Sequence, residues 1–321
     1  MSMNTKTLAF ISAMVLGLGV SPSSQGQKPA IYSFDITDSV TGYSSFNDVK
    51  VIDQRANKKS FGHLRKSEGF PRLVTIESRP ALTTSKPLAE ALRDFGRASI
   101  AKAVKGEDTL LMVLQNFYMY VDPASSETAI FYFRAILFLG KSAKFKLLGD
   151  VDTFIALKGY EIVNQVVIAS SKIVFDQFKL AAGAKSQVIA GHTYTTQEAA
   201  DLLRKMKKDT KIYNTQTYLP GVYNTVGDFL NQTPSVEVFI QKDNYIDDKN
   251  RPYFYYKDIK GKKGERITSA FAIYNGERWF KRHKGIWTQF TFRDGDFYLG
   301  RHLRFNLIRR KFMPAVYAET Y

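Results

Sequence analysis

Two kinds of apolar pattern alternate along the first half of the chain. Val49–Arg55 and Leu73–Ile76 are short β-prone runs bounded by polar turns or by Gly and Pro, which predicts strands. Apolar residues then recur at three- and four-residue steps from Leu88 to Ala103 behind Pro87, which predicts a helix.

The clearest strand patterns follow this helix. Thr109–Val121, Thr128–Leu139 and Phe145–Leu157 are separated by short turn sequences, and both faces of the second run are largely apolar. An apolar stripe of helical period from Glu161 to Ala181 comes next. We therefore expect one mixed sheet, with its central strand covered on both sides and two helices packed on it.

The pattern changes in the second half. Residues 183–191 are typical of a linker, Thr195–Glu198 forms a capping-box sequence that opens a short basic helix, and a helical turn is predicted at 225–230. Strand patterns dominate from Val236, where about five antiparallel strands are expected. Asn275-Gly276 and Asp294-Gly295 are dipeptides that favour type I′ hairpin turns.

These patterns predict an α+β protein, with an N-terminal mixed sheet carrying two packed helices and a C-terminal antiparallel β-meander. The predicted segments are a signal peptide at 1–26, an α/β domain at 27–182, a linker with short helices at 183–234 and a basic antiparallel β domain at 235–321.

The N-terminus has the layout of a secretory signal. Lys6 precedes the 13-residue apolar or small-residue run Leu8–Val20, which is too short to span a bilayer, and a polar segment follows. Small residues at Ser24 and Gly26 predict cleavage before Gln27. We expect an exported protein that is periplasmic or extracellular and has no transmembrane span. Peripheral attachment to the outer membrane is left open.

The amino-acid composition excludes several classes of catalytic and metal-binding site. The 321 residues include 46 Lys and Arg, 30 Asp and Glu and no Cys, for a formal charge of +16. Thiol nucleophiles, disulfides and iron–sulfur ligation are therefore excluded. The four histidines have no metal-ligand spacing, and the chain has no phosphate-binding loop or serine-nucleophile motif, so neither a metal nor a cofactor is predicted.

Some carboxylates are candidates for acid chemistry. Asp150/Asp152 and Asp294/Asp296 are i, i+2 pairs that would share one side of a strand, but turns account for them better. The oxygen-rich loop around Asp243 lacks the spacing of a calcium site. Asp53 and Arg55 are expected to form a salt bridge at a strand end.

Positive charge is concentrated near the C-terminus. Residues 257–311 hold fifteen Lys or Arg and five Asp or Glu, a net +10 of the formal +16, interleaved with aromatic residues. This alternation predicts contact with an anionic surface. The alternative is an ordinary meander whose Lys/Arg-rich face keeps its edges soluble. The candidate binding residues are Arg301, Arg304, Arg309, Arg310, Lys311, Lys281, Arg282, Lys284, Trp279 and Trp287.

Two stretches carry family resemblances. Val49–Arg55 followed by Phe61-Gly62, the helix start Pro87–Leu92 and the hairpin before the last helix resemble an envelope domain of small Gram-negative lipoproteins and transporter-auxiliary proteins, related in fold to the TolB N-terminal domain. The chain lacks the lipidated cysteine of those lipoproteins. Pro220–Pro234 and the meander after it resemble a family of uncharacterised exported bacterial proteins, which implies no particular activity.

Taken together, these features predict a non-catalytic envelope protein. Its expected partners are an envelope protein complex, an anionic lipid or an acidic polysaccharide, and export argues against nucleic acid as the target. The alternative is a secreted hydrolase of an acidic polymer. Its acids would come from Asp150, Asp152, Asp243, Asp294 and Asp296.

Overall fold

The computed structural model describes residues 29–34, 38–70, 74–78, 80–123, 127–185, 189–236, 239–244, 251–300 and 303–314. The predicted signal peptide, residues 1–26, and the candidate residue Arg301 lie outside these ranges.

The elements within these ranges are as follows. The helices are α1 (Leu88–Ser99), α2 (Ile162–Gly183), α3 (Thr196–Asp209), α4 (Lys211–Asn214) and α5 (Val226–Asn231). The strands are β1 (Ala30–Tyr32), β2 (Tyr43–Asp53), β3 (Gly62–Leu64), β4 (Lys66–Phe70), β5 (Val74–Ser78), β6 (Leu82–Thr84), β7 (Val104–Asp122), β8 (Thr128–Lys141), β9 (Lys144–Lys158), β10 (Thr193–Tyr194), β11 (Gly221–Tyr223), β12 (Phe239–Asn244), β13 (Arg251–Lys257), β14 (Lys263–Arg266), β15 (Ala272–Tyr274), β16 (Trp279–His283), β17 (Ile286–Arg293), β18 (Asp296–Leu299), β19 (Leu303–Asn306) and β20 (Lys311–Pro314).

A mixed sheet organises the N-terminal half, and the predicted α+β class is confirmed. Its order is β10-β9-β8-β7-β2, and β3 pairs with β7 beyond the end of β2. Strands β7, β8 and β9 are the three predicted long strands and are antiparallel, whereas β2 and β3 run parallel to β7. The expected salt bridge also forms, with Arg55 Nη2 2.7 Å from Asp53 Oδ2.

Helices α1 and α2 cover one face of this sheet. Phe117 and Phe131 from the sheet pack edge to face at 5.0 Å between ring centroids, and Phe95 of α1 lies 5.9 Å from Phe178 of α2. Each buried side chain of this size contributes about 1.5–3 kcal/mol to folding. Helix α1 ends at Ser99, four residues before the end that the apolar spacing predicted.

Helix α3 covers part of the opposite face. Its Ala199, Leu202 and Leu203 pack with Val113 and Phe138 of the sheet, which explains the two apolar faces of the central strand. The helix lies inside the segment predicted as a linker. Its predicted capping box is confirmed, since Glu198 N donates to Thr195 Oγ1 and Thr195 N donates to Glu198 Oε2.

A second, antiparallel sheet organises the C-terminal half, in the order β11-β15-β16-β17-β18-β19-β20. Asp294 and Gly295 both have positive φ, +49° and +73°, which confirms the expected type I′ geometry there. The same expectation was wrong for Asn275-Gly276, because Asn275 does not have positive φ. Its side-chain oxygen instead accepts from the N–H groups of Glu277 and Arg278 in a longer loop.

Both faces of this second sheet are covered. Phe229 of α5 packs with Trp279 on one face. On the other face, the small sheet β12-β13-β14 places Phe254 against Phe280 and Trp287. Among the described residues, no helix combines the length and apolar character needed to cross a bilayer.

Gly62 provides a test of the edge of the first sheet. It has φ +151° and lies against β7, where a Cβ atom would overlap the carbonyl oxygen of Met119. We expect Gly62→Ala to lower the free energy of unfolding by about 3 kcal/mol, because overpacking forces the backbone apart. Gly149→Ala is the matched control, since that Cβ would meet open space. Urea unfolding measures both, and equal stability of the two variants would contradict the pairing of β3 with β7.

Candidate functional site

A buried ion cluster joins the two sheets. Arg304 on β19 is 5% exposed and donates from Nη2 to Asp152 Oδ2 on β9 at 2.8 Å. Its Nη1 donates to Asp296 Oδ2 on β18 at 3.4 Å. One guanidinium thus links a carboxylate of the first sheet to a carboxylate of the second.

Alternation of side chains along β19 places a second residue of this strand in the same cluster. Asn306 lies two residues after Arg304, and its Nδ2 donates to Asp150 Oδ2 at 2.7 Å and to Asp152 Oδ2 at 3.0 Å. Arg309 Nε donates to Asp150 Oδ1 at 2.9 Å. The pair Asp150/Asp152 therefore faces one side, as predicted, and that side meets the C-terminal sheet.

Three further groups complete the cluster. Tyr132 donates its hydroxyl to Asp152 Oδ1 at 2.9 Å, and Arg134 Nε lies 3.9 Å from Asp152 Oδ2. Lys207, from α3, places Nζ 2.9 Å from Asp296 Oδ1 and also donates to Gly295 O. Lys207 thereby fastens α3, whose apolar side chains pack on the first sheet, to the second sheet.

Burial dominates the electrostatics of the cluster. Desolvation raises the pKa of Asp152 and of Asp296, while the charge of Arg134 opposes the shift at both and Lys207 opposes it at Asp296. Desolvation likewise raises the pKa of Tyr298 to about 12. Buried carboxylates in such a site need their cationic partners, since a lone buried charge is costly.

The candidate acids of the alternative hydrolase differ in their surroundings. Asp150, Asp152 and Asp296, three of the proposed hydrolase acids, are held by Arg, Lys and Asn donors between packed sheets. Asp294 lies in its predicted turn, and the side chain of Asp243 lies outside the described residues.

None of three surface grooves is lined by any of these five aspartates. The largest, about 730 Å³, runs along α3 past His192 and Glu198. The others, of about 510 and 360 Å³, lie beside α1 and beside β3. Within the described ranges, no three His, Asp or Glu side chains are grouped so as to hold a metal ion.

Several candidate anion-binding residues are not on the surface. Trp279 and Trp287 are 3% and 4% exposed, on opposite faces of the second sheet, and Arg304 is enclosed in the ion cluster. Lys281 is half-buried, with Nζ 4.0 Å from the centre of the Phe271 ring, and desolvation lowers its pKa. The surface role expected of the first three is corrected, because strand register turns them inward.

The other candidates remain accessible. Arg282, Lys284, Arg310 and Lys311 are exposed and make no ion pair with any residue that the structure describes. Arg309 is also exposed, although it is bound to Asp150. Anion binding by these residues stays a prediction.

One further basic group lies outside the candidate binding residues. The hairpin between β13 and β14 exposes Lys257, Lys260, Lys262 and Lys263, with Arg266 on the following strand. We call residues 257–263 the hairpin tip. Its sequence signal is the alternation of Lys with turn-forming Asp258 and Gly261.

The ion cluster makes a prediction about stability. Arg304→Met removes the cation that links Asp152 to Asp296, and leaving buried carboxylates without it is expected to cost about 3–5 kcal/mol. Arg97→Met is the control, because Arg97 and Asp48 form a pair with side chains 49% and 34% exposed, for which less than about 1 kcal/mol is expected. Equilibrium unfolding in urea measures both. Similar losses in the two variants would contradict a structural role for the cluster.

Comparisons with known proteins add structural neighbours but no family. No protein-family model and no curated protein matches the chain. One solved neighbour is a DUF330 protein of Xanthomonas campestris, with a TM-score of 0.27 and 12% identity, covering 48% of this chain and 91% of that protein. Another is described as an uncharacterized protein, with a TM-score of 0.24 and 13% identity, covering 56% of this chain and 99% of that one. The resemblance to TolB-related and lipoprotein domains stays a prediction.

Proposed function

We propose that the protein is a non-catalytic, exported envelope protein, a binding or assembly component that contacts an anionic surface or partner through its basic C-terminal β domain. The observation that carries this proposal is the set of exposed cations there that have no ion pair within the described ranges. They are Lys257, Lys260, Lys262, Lys263, Arg266, Arg278, Arg282, Lys284, Arg310 and Lys311.

Part of the positive charge of the N-terminal half is neutralised by ion pairs. There, several exposed cations have carboxylate partners, as in Arg97 with Asp48 and Lys141 with Glu107. Paired charges cancel at a distance, whereas unpaired ones create a positive field that extends about one Debye length, roughly 8 Å at physiological salt. A field of this kind attracts polyanions and anionic lipids.

Export would determine which anionic partners the protein meets. The N-terminal sequence has the pattern of a secretory signal, and export favours lipid headgroups, acidic polysaccharides or acidic proteins of the envelope over nucleic acid. The hydrolase alternative is less favoured, because Asp150, Asp152 and Asp296, three of its five candidate acids, are bound within the ion cluster.

A charge-matched pair of variants tests the proposal. Arg282, Lys284, Arg310 and Lys311 are all changed to Gln in one variant, and the exposed Lys102, Lys105, Lys144 and Lys179 of the other half are changed to Gln in the control. Each Lys or Arg near an anionic surface contributes about 1 kcal/mol. We therefore expect at least tenfold weaker binding to dextran sulfate and to phosphatidylglycerol vesicles for the first variant, and near-normal binding for the control.

Binding is measured by co-sedimentation or calorimetry at salt concentrations from about 50 to about 500 mM. Screening of exposed charges increases strongly across this range. Affinity should fall steadily as salt rises. Absence of binding to both probes at low salt, indifference to salt, or equal loss in the two variants would overturn the proposed function.

A further inference from the structure

The hairpin tip carries an unusual apolar residue. Ile259 is 102% exposed, so no other described residue shields its side chain from solvent. A single exposed aliphatic residue is common on proteins. This one, however, stands at the end of a hairpin whose seven consecutive residues, 257–263, are all exposed.

The backbone of the tip is well supported. Asp258 N donates to Lys262 O at 2.8 Å, and Gly261 N donates to Asp258 O at 2.9 Å. The Asp258 carboxylate also accepts from the N–H groups of Lys260 and Lys262 at 2.9 and 2.7 Å. Gly261 supplies the positive φ, +72°, that closes the turn. Ile259 is therefore presented outward by a hydrogen-bonded turn, which lowers the ordering cost of using it in a contact.

Cations and tyrosines surround this apolar point. Lys257, Lys260, Lys262 and Lys263 are exposed on the same tip. Below them, Lys263 Nζ lies 3.9 Å from the ring centre of Tyr255, and Arg266 Cζ lies 4.0 Å from that of Tyr253. From its apex downward, the hairpin thus places an aliphatic side chain, then ammonium groups, then amphipathic aromatic rings.

The first two of these layers match those of a membrane surface. An acyl region accepts an aliphatic side chain, and anionic headgroups accept lysines that extend along their flexible stems. We propose that the hairpin tip docks on an anionic bilayer and inserts Ile259 among the acyl chains. This inference rests on the proposed function and names its surface.

Other anionic partners fit the tip less well. An acidic polysaccharide offers charge but no apolar phase, so Ile259 would gain nothing from it. A structured acidic protein would need a pocket shaped for the apex, whereas a fluid bilayer needs none. The base of the hairpin is held by the second sheet, because Phe254 of β13 is fully buried against Phe280 and Trp287.

Ile259→Ser and Ile259→Leu separate insertion from charge attraction. On vesicles containing phosphatidylglycerol, Ile259→Ser is expected to bind at least tenfold more weakly, while Ile259→Leu keeps the affinity. Neither change should alter binding to dextran sulfate. Leu180→Ser, at a position that is 62% exposed on α2, is the matched control and should bind both probes normally.

The absence of cysteine permits a direct readout. A single environment-sensitive dye attached to Ile259→Cys should shift to the blue with phosphatidylglycerol vesicles and stay unchanged with phosphatidylcholine vesicles. The same dye at Lys172→Cys, on the exposed side of α2, should stay unchanged with both.

Normal vesicle binding by Ile259→Ser, or no dye shift in bound protein, would overturn the inference. If dextran sulfate binding persists in that case, the proposed function stands without insertion. If the protein binds neither probe, both proposals fall.

Discussion

The structure depends on one buried cation, the guanidinium of Arg304. A charge of this kind is stable between two packed sheets only with partners close by, and Asp152 and Asp296 supply them from opposite sides. Lys207 neutralises the far side of Asp296 and ties helix α3 to the same point. The register of two sheets and the position of a helix are therefore coupled through a few atoms, in a chain that has no cysteine to cross-link it.

The basic residues of the C-terminal half fall into two groups, those with internal contacts and those exposed to solvent. Arg304, Arg309 and Lys281 serve internal contacts with carboxylates or with the Phe271 ring. The other exposed cations on the hairpins and the final turn have no carboxylate partner among the described residues. They supply the field on which the proposed function depends. The hairpin tip adds to that field an apolar apex, which gives the surface a preferred point of contact.

Local patterns predicted the elements of the fold better than the contacts between them. The three long strands, the second helix and the Thr195 capping box follow from spacing and side-chain chemistry within a few residues. The partner of the Asp150/Asp152 pair could not be predicted, because it lies about 150 residues away and depends on how two sheets meet. For the same reason, the sequence marked Trp279 and Trp287 as candidates for surface stacking, although strand register buries both.

Lysine footprinting tests the central claim most directly, because it reports which cations meet the surface in the unaltered chain. The rate of acylation at each lysine is measured with and without phosphatidylglycerol vesicles at low salt. We expect protection of the lysines at the hairpin tip and unchanged rates at Lys102, Lys144 and Lys179 on the other half. Uniform protection, or protection confined to the N-terminal lysines, would contradict that claim.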